Sequence, residues 1–462
     1  MILKELEIRK NEILEYTRGM IDMKSRAFLW GLGIIGFSSI LSIVIYSNSI
    51  SEIKPKYDSL INSFEKSHST DINKIEIMND EIFDSSSLPL QNQYSAIRVN
   101  SGYKSLGSYA ERVCYHKIKS GCHKILTEKN SNGLYDISPI MIESCRLDSS
   151  QLKKILYAVR NDYPEFFWIS STFGYMYPKD STVIKLNSTF SKQEKEKAEE
   201  ALNKKVSEIT SKALGYSSDY ERELFFHDYL IEHCKYESNY NSLGKDSKIY
   251  SSYGCLIDGR AVCEGYSSAM QLLLNSVGID ARTVSGFRGK EPHMWNIVKI
   301  NDKWYHLDVT WDGSGEFQKY FYLNVDDNTI RYDHIVNEQL ETPKWPEDKR
   351  YNFSLPVCNS TEYNYFERNA FKFSSLNNKS TSDLTNYIIN LARKKHEYLY
   401  IMINKNSKAR NVIAQNNISR EFFKCIADAN KSLDLNHKIT NKSLRYSVCD
   451  SQNVVVIKLT YK

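Results

Sequence analysis

"RAVCEGYSSAM", Arg260 to Met270, sets a cysteine at the point where a loop turns into a helix. Ala261 and Val262 lead into Cys263, and Glu264-Gly265-Tyr266 follow it. From Tyr266 to Val277, Met270, Leu273, Leu274 and Val277 recur at helical spacing, with Gly278 as a natural stop. The partial positive charge of a helix N-terminus favours thiolate over thiol, and the thiolate is the nucleophile. Gly259 and Gly265 allow the backbone to come close around the thiol. Such a cysteine suits packing as well as chemistry. The distinction rests on whether the chain also supplies a base and an acid to orient it.

The segments downstream supply both. "ARTVSGF" reads as a strand, "HMWNIVKI" as a second and "KWYHLDVTW" as a third, and Asn301-Asp302 makes a tight turn between the last two. With that turn, residues whose numbers add to 603 face each other across the hairpin. Asp308 is then opposite Trp295, and His293 stands one diagonal step away on the same face. Side chains alternate with period two, so a slip of one residue separates the pair. Cysteine, histidine and aspartate thus assemble the nucleophile, base and orienting acid of a Cys-His-Asp triad. Other residues of the segment receive plainer roles. His306 is assigned to the face away from Asp308, as an interface or surface histidine, and Asp312 to the capping of a turn. Cys255 is structural, and Trp295, Trp304 and Trp311 pack and shield.

At these residues the sequence resembles a known family. "GRAVCEGYSSAMQLLLNSVGI", "HMWNIVKI" and "WYHLDVTWD" look like the three core motifs of the transglutaminase-like superfamily, a papain-type cysteine-enzyme fold. The resemblance covers about Ser218 to Asn324. It implies Cys263 as nucleophile, His293 as base and Asp308 as orienting acid, in acyl transfer at an amide through a thioester. "RNDYPEFFW" and the helix-rich lead-in are similar to the upstream region of membrane-anchored or secreted bacterial members. Met294 replaces the family's usual small residue after the histidine. Besides the Cys263 amide, Tyr253 is a candidate oxyanion donor, and Tyr266 and Trp295 are candidates to line the substrate pocket.

Composition bounds the rest. The 462 residues exceed one core and call for two or three domains. A hydrophobic share of 41% and a charged share of 25% are those of a folded chain. The net charge of +5 is small and its cations are scattered, so nucleic acid is not an expected partner. The 32 tyrosines, with abundant Asn, Lys, Ile and Ser, indicate a low-GC genome. Nine cysteines, an odd number, leave at least one free thiol in an exported domain. Cys114 and Cys122 are about 12 Å apart along one helix, too far to bond. No C-x-x-C or Cys/His pair has zinc spacing and no acidic cluster suits calcium, so neither metal nor cofactor is expected.

Ala27 to Ser51 carries no charged side chain, and about 20 apolar residues span the hydrocarbon core. Trp30 and Tyr46 sit near its ends, where amphipathic rings favour the interface. A cleaved signal peptide fits poorly, because Glu5, Glu7, Glu12, Glu15 and Asp22 precede the segment and no A-x-A-like site follows. Lys24 and Arg26 abut its N-terminal end and place that end inside.

The expected organisation is a cytoplasmic tail over 1–26, a single transmembrane anchor over 27–50 and a stalk over 51–90. A helix-rich region over 91–215, a catalytic domain over 216–340 and a small α/β domain over 358–462 follow. Helices are expected over Ser105 to Glu128, Ser149 to Arg160, Lys192 to Ala213 and Asp219 to His233. Ser380 with Asp383 suggests a further helix cap. The fold class is α+β, a helix packed on an antiparallel sheet. The expected function is a membrane-anchored, extracellular cysteine enzyme, a peptidase or amidase on surface proteins or cell-wall peptides. A cross-linking transglutaminase, or a non-catalytic binding module on the same fold, are the alternatives. The topology is checked by adding protease to intact cells. Epitopes beyond Ser51 are expected to disappear while the N-terminal tail survives, and the reverse pattern contradicts it.

Overall fold

Four of the described helices begin with the same reciprocal device, a side chain that caps the first turn while a residue three positions on caps it in return. They are α1 (Tyr109–Gly121), α2 (Ser149–Asp162), α3 (Lys192–Ala213) and α4 (Asp219–His233), capped by Ser108/Glu111, Asp148/Gln151, Ser191/Glu194 and Ser218/Glu221. The computed structural model describes residues 96–243, 248–336, 355–373, 378–403, 409, 416–440 and 445–462. All of them belong to the unit Phe83–Lys462. The expected tail, anchor and stalk lie outside the described residues. Among the described residues no helix is long and apolar enough to cross a membrane.

The lead-in is helical but carries its own sheet. Strands β1 (Ile125–Lys129), β2 (Tyr135–Ile137), β3 (Ile140–Ile142), β4 (Ile169–Met176) and β5 (Thr182–Ser188) pair around β5. The helix expected over Ser105 to Glu128 therefore ends at Gly121, and its last residues form β1. Pairing with β2 buries Ile125 and outweighs the weak helical preference of that stretch.

The central layer is one helix against one sheet. Short parallel strands β6 (Lys235–Tyr236) and β7 (Arg260–Ala261) lead into α5 (Cys263–Ser276). This helix packs on β8 (Ala281–Arg288) and β9 (Glu291–Ile300), with Met270, Leu273 and Leu274 fully buried. Strands β10 (Lys303–Leu307), β11 (Leu323–Val325) and β12 (His334–Val336) complete an antiparallel sheet of order β11-β10-β9-β8-β12. Asn301 and Asp302 both have positive φ, 45° and 61°, as the two-residue hairpin turn requires. The pairing of Lys303 with Ile300 through Leu307 with Asn296 keeps the register expected from that turn.

The C-terminal segment runs strand, helix, strand, helix and a final strand pair. Its elements are β13 (Phe371–Phe373), α6 (Asn378–Arg393), β14 (Tyr398–Ile403), α7 (Asn416–Lys431), β15 (Arg445–Cys449) and β16 (Val454–Lys458). The α6 helix opens at Asn378, so Ser380 lies inside its first turn rather than at its cap. Period-two alternation divides β14 between two cores. Leu399, Ile401 and Ile403 enter a local core with Leu384, Ile388 and Ile426. Tyr398 and Tyr400 turn the other way, onto the main core with Phe366 and Val456. Residues of the lead-in, the central sheet and the C-terminal segment contribute to that main core.

Within the core, α4 buries Glu223 completely. Its Oε2 accepts from Asn324 Nδ2 at 2.6 Å, while Oε1 has no hydrogen-bond partner among the described residues. Burial pushes this carboxyl up to about 8, against the smaller opposing effect of Asn324. A carboxyl raised in the folded state favours folding below its unfolded value, and that contribution is lost as pH rises through the folded one. Glu223→Gln removes a charging penalty on the order of 4 kcal/mol at pH 8, at about 1.4 kcal/mol per pH unit. The variant is expected to melt higher than the parent at pH 8 and nearly equally at pH 5. Equal gains at both pH values in thermal unfolding contradict a buried, neutral Glu223.

Candidate active site

Cys263 is the first residue of α5, and the N-cap, Val262, has no side chain able to accept a hydrogen bond. The first-turn amides are therefore left without a side-chain cap, and the positive end of the helix lies at the thiol. A Cβ at Gly265 would lie 2.5 Å from the Ile249 carbonyl and 2.8 Å from Ala261 Cβ. Glycine at that position lets the first turn seat against β7 and brings Cys263 to the mouth of the sheet. The thiol is partly exposed, unlike seven of the other eight cysteines.

The sheet carries the partners. His293 Nε2 lies 2.7 Å from Asp308 Oδ2, and both side chains are almost wholly buried. Cys263 is the other hydrogen-bond partner of His293. Since Nε2 is engaged by Asp308, Nδ1 is the atom that faces the thiol. Burial alone would lower the His293 pKa, but Asp308 and Cys263 outweigh it and lift it to about 10. Burial would raise Asp308, yet His293 and His334 hold its carboxyl well below the usual range. Asp308 also caps the one-turn helix Val309–Asp312, with Oδ1 accepting from the Trp311 amide at 3.2 Å. The carboxylate is thus anchored from both sides. Trp295 stacks on the His293 ring, 5.9 Å between centroids and 13° between planes, and Trp311 meets it edge-on at 6.4 Å.

Two readings of single residues change. His306 is two residues from Asp308 and so shares its face; it is buried, not a surface group. Its Nδ1 accepts from Trp295 Nε1 at 3.0 Å, and its Nε2 lies 3.0 Å from Asp327 Oδ1. Asp312 does not cap the turn, which Asp308 does. Its Oδ2 lies 3.0 Å from His227 Nε2 and its Oδ1 accepts from the Tyr322 amide, in a fully buried pair.

The expected pocket residues are largely committed to structure. The Tyr266 hydroxyl donates to the Cys234 carbonyl at 2.6 Å, tying α5 to the start of β6. Trp295 is 1% exposed, between His293 and His306. Tyr253 stacks on Phe167 and meets Phe190 edge-on. A cleft opens instead beside Glu264 and Met294, the residues that follow Cys263 and His293, with Tyr157, Phe166, Phe167 and Tyr250 in its walls. Half that wall comes from the lead-in. Arg160 pairs with Glu264 at 2.8 Å, Gln271 donates to the Asn161 carbonyl at 2.7 Å, and Thr283 donates to Asn161 Oδ1 at 2.8 Å. A separate depression on α3 and α4, around Tyr216, Phe225 and Tyr229, holds none of these groups.

Two groups went unmarked in the sequence. Tyr236, half exposed on β6, is within electrostatic reach of Cys263; burial of its hydroxyl and that neighbour push its pKa up. His334, on β12, sits on the far side of Asp308. No local pattern singles it out, because β12 reaches the site only by pairing with β8 across the sheet.

Among the described residues two side-chain clusters have the composition of metal sites, His293/Asp308/His334 and His306/Asp327/Cys358. In the second, the proton donated by Trp295 leaves Nδ1 of His306 as acceptor, so Nε2 carries the hydrogen and donates to Asp327. The lone pair a metal would need is not on offer, and burial keeps the Cys358 thiol protonated. In the first, both Nε2 atoms already address Asp308 Oδ2 at hydrogen-bond distance.

The structure thus brings the three residues marked in the sequence together, a buried His–Asp pair facing a cysteine on a helix start, set on an antiparallel sheet. Residues 207–309 match the model of the transglutaminase-like superfamily, and the chain carries a domain of that family. It is 26% identical over 149 residues to kyphoscoliosis peptidase of Mus musculus, covering 30% of this chain and 21% of that protein. Against kyphoscoliosis peptidase of Homo sapiens it is 24% identical over 202 residues, covering 39% of this chain and 28% of that protein. The chain thus spans about a quarter of the length of these curated relatives. A solved structure described as that of a TGase is 16% identical, with a TM-score of 0.22, covering 37% of this chain and 50% of that one.

The geometry makes His293 and Asp308 a coupled unit. His293→Ala is expected to slow alkylation of Cys263 by iodoacetamide at neutral pH about 100-fold, and Asp308→Asn less. The double variant is expected to be little slower than His293→Ala alone. Losses that multiply in this cycle contradict the coupling.

Proposed function

We propose that the chain is a cysteine peptidase or amidase that opens amide bonds through a thioester on Cys263. The observation that carries this reading is the line from Asp308 Oδ2 through His293 to Cys263, with the carboxylate 2.7 Å from Nε2. His293 takes the thiol proton at Nδ1, and the thiolate attacks the amide carbon. The same proton passes to the leaving amine as the C–N bond breaks. Water then attacks the thioester, gives a proton back to His293, and releases the acid and the free thiol. Asp308 holds Nε2–H and stabilises the imidazolium. The uncapped amides at the start of α5 are placed to receive the developing oxyanion.

The substrates in this proposal are surface proteins or cell-wall peptides, met outside the cell by an enzyme held through the apolar segment 27–50. The cleft beside Glu264 and Met294 suits an extended acyl chain with both apolar and hydrogen-bonding groups, since aromatic rings share its walls with Ser251, Ser268, Thr283 and Ser285. Water as acceptor is favoured because hydrolysis needs no further recognition element. Amine transfer needs a site where an amine outcompetes water at the thioester.

The test follows both products of a peptide substrate in the presence of a labelled primary amine at millimolar concentration, with Cys263→Ala as the inactive control. Free acid is expected to dominate, without effect of calcium chelation. Dominant amine incorporation, or loss of activity on chelation, makes the chain a cross-linking transglutaminase. Turnover by a folded Cys263→Ala protein removes the enzyme reading altogether and leaves a binding module.

A further inference from the structure

Asp308 Oδ2 serves two histidines. His334 Nε2 lies 3.0 Å from it, and His334 Nδ1 lies 2.7 Å from Asp333 Oδ1. His334 and Asp308 are each 1% exposed. A neutral imidazole has one N–H, so it would leave a nitrogen lone pair against a carboxylate oxygen on one side, away from water. The protonated ring donates on both sides. Asp333 is braced for this by Arg288 at 2.9 Å and by the Tyr322 hydroxyl at 2.6 Å. Rings beside it are His293 at 5.5 Å between centroids, Trp295 at 5.1 Å and Tyr322 at 5.0 Å, and His306 is a further titratable group within electrostatic reach.

Backbone packing brings the group there. A Cβ on Gly286 would lie 2.1 Å from the Ile335 carbonyl and 2.8 Å from the Trp295 ring. Only glycine lets β12 and Trp295 close on β8 together, and that closure sets His334 against Asp308.

We propose that His334 is a positioning residue for the proposed base, held as an imidazolium that fixes Asp308 Oδ2 and sets the pH range of the Cys263–His293 pair. This rests on the reading of Cys263 and His293 as nucleophile and base. Burial works against the charge on His334, and the carboxylates of Asp308 and Asp333 overcome it, with His293 opposing. Two cations then share one anion. Neutralising His334 leaves Asp308 to His293 alone, so the His293 imidazolium gives up its proton at higher pH. For charges at this separation the displacement is about one to two pH units.

The experiment compares the full-length chain with His334→Gln and with Asp333→Asn. The first removes the charge. The second offers an amide donor to Nδ1, so that His334 stays in place as a neutral ring still donating to Asp308. The readout is the rate of iodoacetamide alkylation at Cys263, followed by peptide mass spectrometry between about pH 4 and pH 12. No substrate is required. The parent is expected to show a plateau of reactivity at acidic pH and a step at higher pH, where His293 loses its proton. In both variants the plateau is expected to persist while the upper step moves up by about one pH unit or more. Steps that stay at the parent's pH while only the overall rate falls overturn the proposal, because they describe structural support alone. If His334→Gln does not fold, Asp333→Asn carries the test. A parent without the acidic plateau overturns the nucleophile-and-base reading itself, an outcome distinct from unmoved steps in the variants.

Discussion

The turn at Asn301-Asp302 is the constraint on which the site depends. Two consecutive residues in the left-handed region give β9 and β10 one register, and the side-chain period of two does the rest. His293 and Asp308 share a face in that register and in no neighbouring one. A slip of one residue would turn the histidine toward one layer and the carboxylate toward the other. It would also separate Trp295 from His306 and leave a buried indole N–H and an imidazole nitrogen unpaired, each at a cost of about 1–3 kcal/mol. The polar pairs on this face therefore hold the register that in turn brings them together.

Burying so much charge requires that each ion be answered nearby. Asp308 has two histidines and a backbone amide, His334 two carboxylates, and Asp333 an arginine and a tyrosine. Arg288 in turn lies 3.3 Å from the Trp311 ring centroid, and Trp311 walls off His293. The chain of contacts leads from the solvent edge of β12 to the proposed base without an isolated ion, as a low-dielectric interior demands. The family match ends at residue 309, so Asp333 and His334 lie beyond it. The network is larger than the motif-bearing segment.

The lead-in gives the site its shape. Asn161, at the end of α2, holds both Gln271 of α5 and Thr283 of β8, and Arg160 pairs with the residue after the nucleophile. The wall that the aromatic run "NDYPEFFW" builds is thereby fixed against the helix start and the sheet. In the proposed reaction this excludes water from one side of the thioester, a role that the central helix and sheet cannot fill by themselves.

What the sequence determines by itself is local and periodic. Capping pairs such as Ser218/Glu221 mark helix starts because the partners are three residues apart. The hairpin register follows from one dipeptide, and with it the meeting of His293 and Asp308, because both lie within a few residues of the turn. The position of Cys263 at a helix start follows from an apolar period and a stop at Gly278. Interactions between distant segments were decided by tertiary structure. Ile125 joined a strand because β2 offered it partners, against a helical reading of its neighbours. His306 was assigned to the wrong face, although its two-residue spacing from Asp308 puts both on one face; its bond to Trp295 needed the folded sheet. His334 could not be placed from its own neighbourhood, since the contact that gives it meaning depends on glycine at position 286 and on a strand crossing to β8. Sequence period fixes which face a side chain takes, and only packing fixes which face it meets.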